Sequence, residues 1–346
     1  MKKFLFKILV FFLILFAIFA PVNILIDPYN IFHYDDPVNN GVEPNKNFIK
    51  TKYIIHNQDK FDSLVFGSSR AGFIDVEKIP GGTYYDMASS EAVPQEHVNT
   101  LKVLIKNGFV PKNILLLVDD ISCFVDPAVH ENTLYRVPYP TGGFISQLEF
   151  YSKYCDLLTT YQSLSVIREH EDNDPDFAER FRRTGTERLD IVSEFTGKYE
   201  DGTEVPGYWA DYYSLRLTEA TAQIQEFVDI CEQYDINLTI VTNPLYCKTY
   251  ERDLENGYLE FLDALADVTD YYNFSSFSNV TEGTGNYYEA SHFIPAIGRM
   301  MIDAAYNGEV DPVLLKQGFG VKVTAENKEE FIEFLREQAV ENGVGL

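Results

Sequence analysis

The sequence predicts an α/β protein with a parallel sheet covered by helices on both faces, a helical insertion and an N-terminal transmembrane helix. Two observations predict the sheet. Short apolar runs that end at Gly, Asp or Asn alternate with segments of helical spacing, as strands and crossover helices do in such proteins. One run, from Ile114 to Val118, is apolar throughout, which is typical of a strand buried on both faces.

The composition limits the class of protein. A chain of 346 residues, 45% of them apolar, can form one large domain, and we expect one main domain. The net charge of −25 argues against a nucleic-acid partner, because phosphate binding needs a basic surface. The four cysteines lack the spacing of metal ligands, so no metal site is predicted, and disulfides stay open.

Residues 4–26 are almost wholly apolar and long enough to cross a bilayer, which needs roughly 20 residues. The N-terminus is expected in the cytoplasm and the rest of the chain outside, because three cations lie at the N-terminal end of the apolar run, Lys2, Lys3 and Lys7. A cleaved signal peptide is the alternative. Proline would follow a cut after Ala20 and no small residue stands three positions before that cut, so an uncleaved single-pass anchor over 1–27 is favoured.

The predicted elements follow in order along the chain. Residues 28–60 are polar and form a connecting segment, and the main domain covers 61–346. Helical spacing begins at Pro94 and ends at Gly108. The first three strands are predicted at Leu64–Phe66, Thr83–Tyr85 and Asn113–Val118.

Residues at about 121–213 contain no convincing strand and combine helical spacing with a heavily charged stretch. Two interpretations stay open, an exposed helical insertion and a lid that shapes a substrate site. The alternation of strand and helix then resumes. It predicts helices at 217–231 and 254–265, strands at 238–241 and 270–274, and a last helix that includes 331–335.

Ser69, Glu289 and His292 form a candidate active site. Ser69 follows a predicted strand and Gly67, a place where a hydroxyl is delivered to the end of a sheet, although such a serine is also a common helix N-cap. A serine becomes nucleophilic when an imidazole, oriented by a carboxylate, takes its proton. Glu289 precedes His292 by three residues and can reach its Nδ1 within one turn.

His292 also lies just before a predicted helix that begins at Pro295. The positive end of a helix dipole favours the neutral imidazole that a general base needs. A lone histidine in such a place is more often structural. The combination with Gly67-x-Ser69 and Glu289 favours the triad.

Polar residues end the other predicted strands. Asp86, Asp119 and Asn243 follow strands, and the carboxyl ends of parallel strands share one edge of a sheet, so we expect them near Ser69. Asp119 and its neighbour Asp120 lack a third ligand nearby and are expected to cap a turn. Arg70 and Asn243 are candidates for substrate binding, with a surface salt bridge or a turn hydrogen bond as the favoured alternative.

The order of these motifs resembles the SGNH (GDSL-like) hydrolase superfamily. The resemblance rests on Gly67-Ser68-Ser69 and Glu289-x-x-His292 and covers most of residues 60–308. The N-terminal apolar segment resembles that of the membrane-anchored, cell-surface branch, which includes DltD-like D-alanine transfer proteins and alginate-acetylation-type O-acyltransferases. Three further motifs carry this closer resemblance, Ile26–Tyr29, Phe66–Arg70 and Tyr288–Phe293.

The resemblance implies a three-layer, flavodoxin-like fold and a Ser-Glu-His triad in which Ser69, rather than Ser68, is the nucleophile. It implies no cofactor and no metal. The expected location is the cell membrane, with a membrane-bound O-acyltransferase as partner and a teichoic acid or exopolysaccharide as substrate. A teichoic acid is polyanionic, so its groove would have to be locally basic or uncharged despite the net charge of −25.

The chain departs from the superfamily at three points. Glu289 stands where aspartate is usual, the block Asp86–Ser90 lacks glycine, and the block Asp119-Asp120 lacks asparagine. The Ser69 backbone N–H remains the assured oxyanion donor, and the other candidates are Ser89, Asn243 and Arg70. Loss of one such donor costs about 2.7–4 kcal/mol of transition-state stabilisation.

Three functions are compatible with these patterns. The leading one is serine-dependent acyl transfer to hydroxyls of a cell-envelope polymer outside the membrane. A general esterase or lipase-like hydrolase would use the same residues with water as the acceptor. A catalytically silent scaffold that binds the polymer or a membrane O-acyltransferase is the third, because the oxyanion motifs are incomplete.

Overall fold

A computed structural model describes residues 2–131, 133–169, 176–186 and 205–346. The chain divides into two compact units. Unit 1 comprises Met1–His56 and His130–Arg183, and unit 2 comprises Asn57–Val129 and Thr184–Leu346. The α-helices are α1 Lys2–Ile26, α2 Lys46–His56, α3 Pro94–Lys106, α4 Asp120–Phe124, α5 Phe144–Lys153, α6 Leu157–Glu169, α7 Phe177–Thr184, α8 Leu217–Gln233, α9 Cys247–Glu255, α10 Tyr258–Val268, α11 Pro295–Ile302, α12 Pro312–Lys316 and α13 Lys328–Glu341.

Unit 2 is built on a six-stranded, mostly parallel sheet. Its strands are β1 Ser63–Phe66, β2 Tyr84–Asp86, β3 Asn113–Val118, β4 Asn237–Thr242, β5 Tyr271–Asn273 and β8 Val321–Val323, and two more strands, β6 Tyr287–Glu289 and β7 His292–Phe293, form a separate hairpin. The sheet has the order β2-β1-β3-β4-β5-β8, with β8 antiparallel to β5 and the other neighbours parallel. The predicted α/β class and the five predicted strands are confirmed.

Helices cover both faces of this sheet, as predicted. On one face, Val65 of β1 and Leu117 of β3 share a core with Ile297 of α11. On the other face, the ring of Phe66 packs edge-on against that of Phe227 in α8, with centroids 5.5 Å apart. Successive residues of β1 and β3 therefore point into two cores, which explains why their sequences are apolar without alternation.

The parallel strands end at one edge of the sheet, and the predicted polar residues lie at or just beyond that edge. Asp86 is the last residue of β2, while Asp119 and Asn243 directly follow β3 and β4. Neighbouring strands pair in register up to this edge, with Val118 opposite Thr242. For Asp119 and Asn243 the expected clustering is confirmed, because hydrogen bonds join them to each other and Asp119 to Ser68. Asp86 Oδ1 accepts a local hydrogen bond, from the Ala88 backbone N–H.

Three elements of unit 2 differ from the sequence expectation. The helix predicted at 254–265 is two helices, α9 and α10, because the chain between them turns at Gly257 with a φ of +99°, a backbone conformation that favours glycine. Strand β8 and the hairpin of β6 and β7 were not predicted, because they lie outside the alternation of strand and crossover helix from which the other strands were predicted.

The described part of unit 1 is helical. Helix α2 lies within the segment predicted as a connector, and it buries Phe48, Ile49 and Tyr53. The Phe48 ring stacks on Phe150 of α5 with centroids 4.4 Å apart. The segment at 28–60 therefore contains a packed helix, since its apolar side chains find a partner in α5.

The predicted insertion at 121–213 contains helices and turns, and no strand among its described residues. Residues 132, 170–175 and 187–204 of this stretch lie outside the described ranges. The choice between an exposed insertion and a lid stays a prediction.

Helix α1 covers the segment predicted as the anchor and has 25 residues. Within the described ranges, no helix combines the length and the apolar character that crossing a membrane requires. The transmembrane anchor therefore stays a prediction from the sequence.

Candidate active site

Ser69 lies just beyond the carboxyl end of β1, at the start of a 3₁₀ helix over Ser69–Phe73. Gly67 allows this turn to pack against β3. A Cβ on Gly67 would lie 2.8 Å from the Cβ of Ala71 and 3.0 Å from that of Leu117, closer than carbon atoms pack. The glycine of the sequence motif thus has a steric reason, and the Ser69 hydroxyl is left half-buried at the edge of the sheet.

His292 connects Ser69 to Glu289. The Ser69 Oγ lies 2.7 Å from His292 Nε2, and His292 Nδ1 is hydrogen-bonded to Glu289 Oε1. With the Nδ1 proton directed at the carboxylate, Nε2 carries the lone pair that accepts the Ser69 hydroxyl proton. The structure therefore brings the three predicted residues together in the order nucleophile, base and acid.

A hairpin positions the acid and the base. Strand β6 ends at Glu289, β7 begins at His292, and the antiparallel register places these two residues opposite each other. Glu289 and His292 were expected within a single turn, and the structure joins them by a β-turn between the two short strands. The Ser291 backbone N–H donates to Glu289 Oε2 at 2.9 Å, and the His292 ring lies against Phe73 with centroids 5.4 Å apart.

The electrostatics keep Glu289 ionised. Burial raises the pKa of Glu289, but the hydrogen bond and charge of His292, with smaller contributions from the Ser291 N–H and Arg70, bring the pKa below its ordinary value of 4.5. Only 31% of the Glu289 side chain is exposed, so these partners are weakly screened. A carboxylate in this state can stabilise the imidazolium that forms when His292 takes a proton.

Arg70 links the hairpin to the edge of the sheet. Its side chain is 1% exposed, and its Nη1 pairs with Asp119 Oδ2 at 2.9 Å and with Asp120 Oδ1. From the same guanidinium, Nε donates to the Ser291 carbonyl oxygen at 2.7 Å and Nη2 to Ser291 Oγ at 3.1 Å. Burial lowers the pKa of Arg70, but Asp120 and Asp119 raise it well above its ordinary value, so the guanidinium stays charged.

Asp119 distinguishes the two adjacent serines. Ser68 Oγ donates to Asp119 Oδ2 at 2.6 Å, and Ser68 is 2% exposed, so its hydroxyl is held by a buried carboxylate. Asp119 Oδ1 also accepts the backbone N–H of Ser122 at 3.3 Å as the N-cap of α4. The predicted turn-capping role of Asp119 is confirmed, and its contact with Arg70 adds a second role.

The structure turns three of the four candidate oxyanion or substrate groups inward. The Ser89 backbone N–H donates to the Gly67 carbonyl oxygen at 3.4 Å. Asn243 is fully buried, and its Nδ2 donates to Asp119 Oδ2 at 2.9 Å. Arg70 is buried as described, which corrects both the substrate contact and the surface salt bridge expected for it. Among the residues that the structure describes, none accepts the Ser69 backbone N–H.

Sequence reasoning missed the contacts that hold the hairpin in place. Arg70 binds Ser291, and Thr249 Oγ1 of α9 donates to the Ala290 carbonyl oxygen at 3.0 Å. The sequence offered one signal for the role of Arg70. The adjacent acids Asp119 and Asp120 end one predicted strand and Arg70 follows another, so an ion pair between them could have been predicted. The sequence offers no pattern that places Thr249 next to Ala290, because the two residues belong to different elements.

All four cysteines, Cys123, Cys155, Cys231 and Cys247, are free thiols. The disulfides that the sequence left open are therefore not formed. Comparison of the chain with protein-family models and with curated proteins found no match.

Proposed function

We propose that this protein is a serine-dependent acyl-transfer enzyme or esterase of the SGNH (GDSL-like) type that acts outside the cell membrane on a cell-envelope polymer. One observation carries the proposal, the hydrogen-bonded chain from Ser69 Oγ through His292 to Glu289. It is supported by the burial of Ser68, which leaves the half-buried Ser69 as the serine of this motif that lies beside the imidazole. The parallel sheet, with the serine after β1, fits the three-layer, flavodoxin-like fold of that superfamily.

The proposed reaction has two steps. His292 Nε2 takes the hydroxyl proton as Ser69 Oγ bonds to the acyl carbon of a donor ester, and the donor C–O bond breaks as His292 returns the proton to the leaving alcohol. An acyl-Ser69 ester results. In the second step His292 deprotonates an acceptor hydroxyl, whose oxygen attacks the acyl carbon. The bond between the acyl carbon and Ser69 Oγ then breaks as His292 returns the proton to Oγ, while Glu289 remains ionised throughout.

A fluorophosphonate probe tests the proposal. We expect covalent labelling at Ser69, located by peptide mass spectrometry, and complete loss of labelling in Ser69→Ala. The matched control is Ser68→Ala, whose missing hydroxyl is the one bound to Asp119 and which should keep the label. Circular dichroism shows whether each variant is folded. An unlabelled wild-type protein overturns the proposal and favours a silent scaffold. A label that survives Ser69→Ala overturns Ser69 as the nucleophile.

The proposed location follows from the apolar segment 4–26 and its flanking lysines. With residues 1–27 as a single-pass anchor and the N-terminus in the cytoplasm, a protease added to intact spheroplasts should digest the part of the chain after the anchor. Full protection reverses the proposed topology, and release of a shortened chain before protease is added indicates signal cleavage.

A further inference from the structure

Helix α6 in unit 1 has its polarity reversed relative to an ordinary helix of a water-soluble domain. Its buried side chains include Thr159, Thr160 and Ser163. A helix in water normally exposes such residues and buries its apolar stripe. Ahead of the charged C-terminal pair Arg168-Glu169, the exposed residues of α6 are the large apolar ones, Leu157, Leu158, Tyr161, Leu164 and Ile167, each at least 55% exposed.

The buried polar side of α6 lies against α1. Asn23 of α1 is fully buried, and its Nδ2 donates to the Asp156 carbonyl oxygen at 3.0 Å. Ser163 Oγ donates to Asn23 Oδ1 at 3.3 Å. Small and polar residues between helices, with apolar residues outside, are typical of helices that pack together in lipid.

Helix α1 also exposes large apolar side chains, since Phe16 and Ile18 are 52% and 56% exposed. Helix α5, which precedes α6, exposes Phe144 at 82% and Ile145 at 71%. Soluble proteins rarely expose so many large apolar side chains close together in the chain, and such residues mark contact with a membrane or a protein.

The charge distribution favours the membrane. The excess of acidic residues in the chain lies almost wholly in unit 2, while the basic and acidic residues of unit 1 are nearly balanced. Membrane surfaces are commonly anionic and repel acidic proteins. Unit 1 is therefore the part of the chain that can approach a bilayer at little electrostatic cost.

We propose that the exposed apolar side chains of α6 contact the acyl chains of a lipid bilayer beside α1. The proposal rests in part on the proposed anchor. A helix of 13 residues is about 20 Å long, shorter than the ~30 Å hydrocarbon core, so α6 enters the boundary of the bilayer and does not cross it. A second copy of the chain or a membrane protein partner is the alternative occupant, and the reversed polarity of α6 favours lipid over both.

Tryptophan quenching by brominated lipid tests the contact with the full-length chain. The single native tryptophan, Trp209 in unit 2, is replaced by phenylalanine. One tryptophan is then introduced at Tyr161, and the protein is reconstituted into phosphatidylcholine vesicles with or without bromine on the acyl chains. We expect Tyr161→Trp to lose about half of its emission in the brominated vesicles, because bromine quenches only at contact range.

Tryptophans at two further positions test the lipid contact of α6 separately from the proposed anchor. Phe16→Trp reports on α1, and Tyr234→Trp, at a position 40% exposed in unit 2, is the aqueous control. Quenching at Phe16→Trp with none at Tyr161→Trp overturns the contact of α6 and leaves the anchor standing. Quenching at neither position overturns both. The readout does not involve Ser69, so it is independent of the proposed activity.

Charged substitutions supply the matched test. Leu157→Glu with Leu164→Glu changes two exposed side chains and should restore the emission of Tyr161→Trp in brominated vesicles. Val313→Glu with Leu315→Glu adds the same charges at exposed apolar positions of unit 2 and should leave the quenching unchanged. Unaltered quenching in the first pair contradicts the proposal. Emission that is shifted to the blue without quenching by bromine indicates that protein covers this face instead.

Discussion

At the scale of single residues, the difference between Ser68 and Ser69 comes from their partners. Ser68 donates to the buried Asp119, whereas Ser69 lies 2.7 Å from an imidazole nitrogen. The proton of Ser68 is held by a carboxylate that already accepts bonds from Arg70 and Asn243. The hydrogen-bond partners of the two hydroxyls therefore decide which serine can act as the nucleophile.

Glu289→Gln should leave the fold intact and slow the proposed reaction. The amide can keep a hydrogen bond to His292, but it cannot offset the positive charge of the imidazolium and it can hold the ring in the wrong tautomer. We expect kcat on small activated esters to fall by up to about 10⁴-fold, with a smaller change in KM. Stopped-assay kinetics of the purified variant provide the measurement.

Glu289→Gln should also change how the free energy of unfolding depends on pH. The pKa of Glu289 is lowered in the folded protein, so its contribution to the free energy of unfolding is present above the unfolded pKa of about 4.5 and is lost as the pH falls through the lower folded value. Glu289→Gln lacks this contribution. Urea unfolding at several pH values below about 5 should therefore show a shallower loss of stability than in the wild type, and equal slopes would contradict the assignment.

Arg70→Met should be strongly destabilising. It leaves Asp119 and Asp120 buried without their cation, and loss of one member of a buried ion pair costs roughly 3–5 kcal/mol. Arg70→Lys is the control that keeps the charge but cannot bind Ser291 through a fork of nitrogens. We expect Arg70→Lys to fold, as measured by urea unfolding, with a lower kcat because the hairpin carrying His292 is less well held. Wild-type kcat in Arg70→Lys would show that the contact with Ser291 does not position the base.

At the scale of the elements, the sequence predicted what long patterns encode. Strand β3 and helices α3 and α8 were predicted because their apolar residues repeat over many positions. Ser69, Glu289 and His292 were predicted because each lies in a local motif. The hairpin register and the burial of Arg70 depend on contacts between distant segments, such as Arg70 with Ser291, and no local pattern specifies them.

The turn between β1 and the 3₁₀ helix offers a test of how tightly the site is packed. Gly67→Ala puts a methyl group 2.8 Å from the Cβ of Ala71, so the turn must shift. Overpacking of this kind costs about 1–3 kcal/mol, and it should also reduce labelling of Ser69 by displacing the hydroxyl from His292. Thermal and urea unfolding measure the first effect and the fluorophosphonate probe the second.

Gly345→Ala is the control for this substitution, because a Cβ at Gly345 meets no atom within 4 Å and its φ lies outside the left-handed region. It should change the free energy of unfolding by less than about 0.5 kcal/mol. Equal effects of the two substitutions would mean that the close approach at Gly67 does not constrain the turn.

At the scale of the whole molecule, the acidity of unit 2 bears on the choice of acceptor. The proposed site lies entirely in this unit, which holds nearly all of the net charge of −25. A polyanionic teichoic acid would be repelled over roughly a Debye length, about 10 Å at 0.1 M salt. A neutral exopolysaccharide meets no such repulsion, and the charge of unit 2 therefore favours it as the substrate.

The balance between transfer and hydrolysis follows from the oxyanion site. Three of the four candidate donors are turned inward, which leaves the Ser69 backbone N–H, and each missing donor costs about 2.7–4 kcal/mol. A transferase that holds donor and acceptor together can compensate, since oriented reactions reach effective molarities of about 10⁵ M or more. The purified protein should therefore hydrolyse small activated esters slowly, in a manner that requires Ser69 and His292 and declines as the pH falls and the imidazole is protonated.

Adding an acceptor polymer distinguishes the two reactions. We expect a neutral polysaccharide with free hydroxyls to accelerate consumption of the acyl donor and to become esterified, as detected by mass spectrometry of its fragments. With a teichoic acid the rate should be lower and should rise with added salt, because salt screens the repulsion from unit 2. Ser69→Ala is the control for each acceptor. Rapid hydrolysis of simple esters without any esterified polymer would replace the transferase with the general esterase, since water would then be an adequate acceptor for acyl-Ser69.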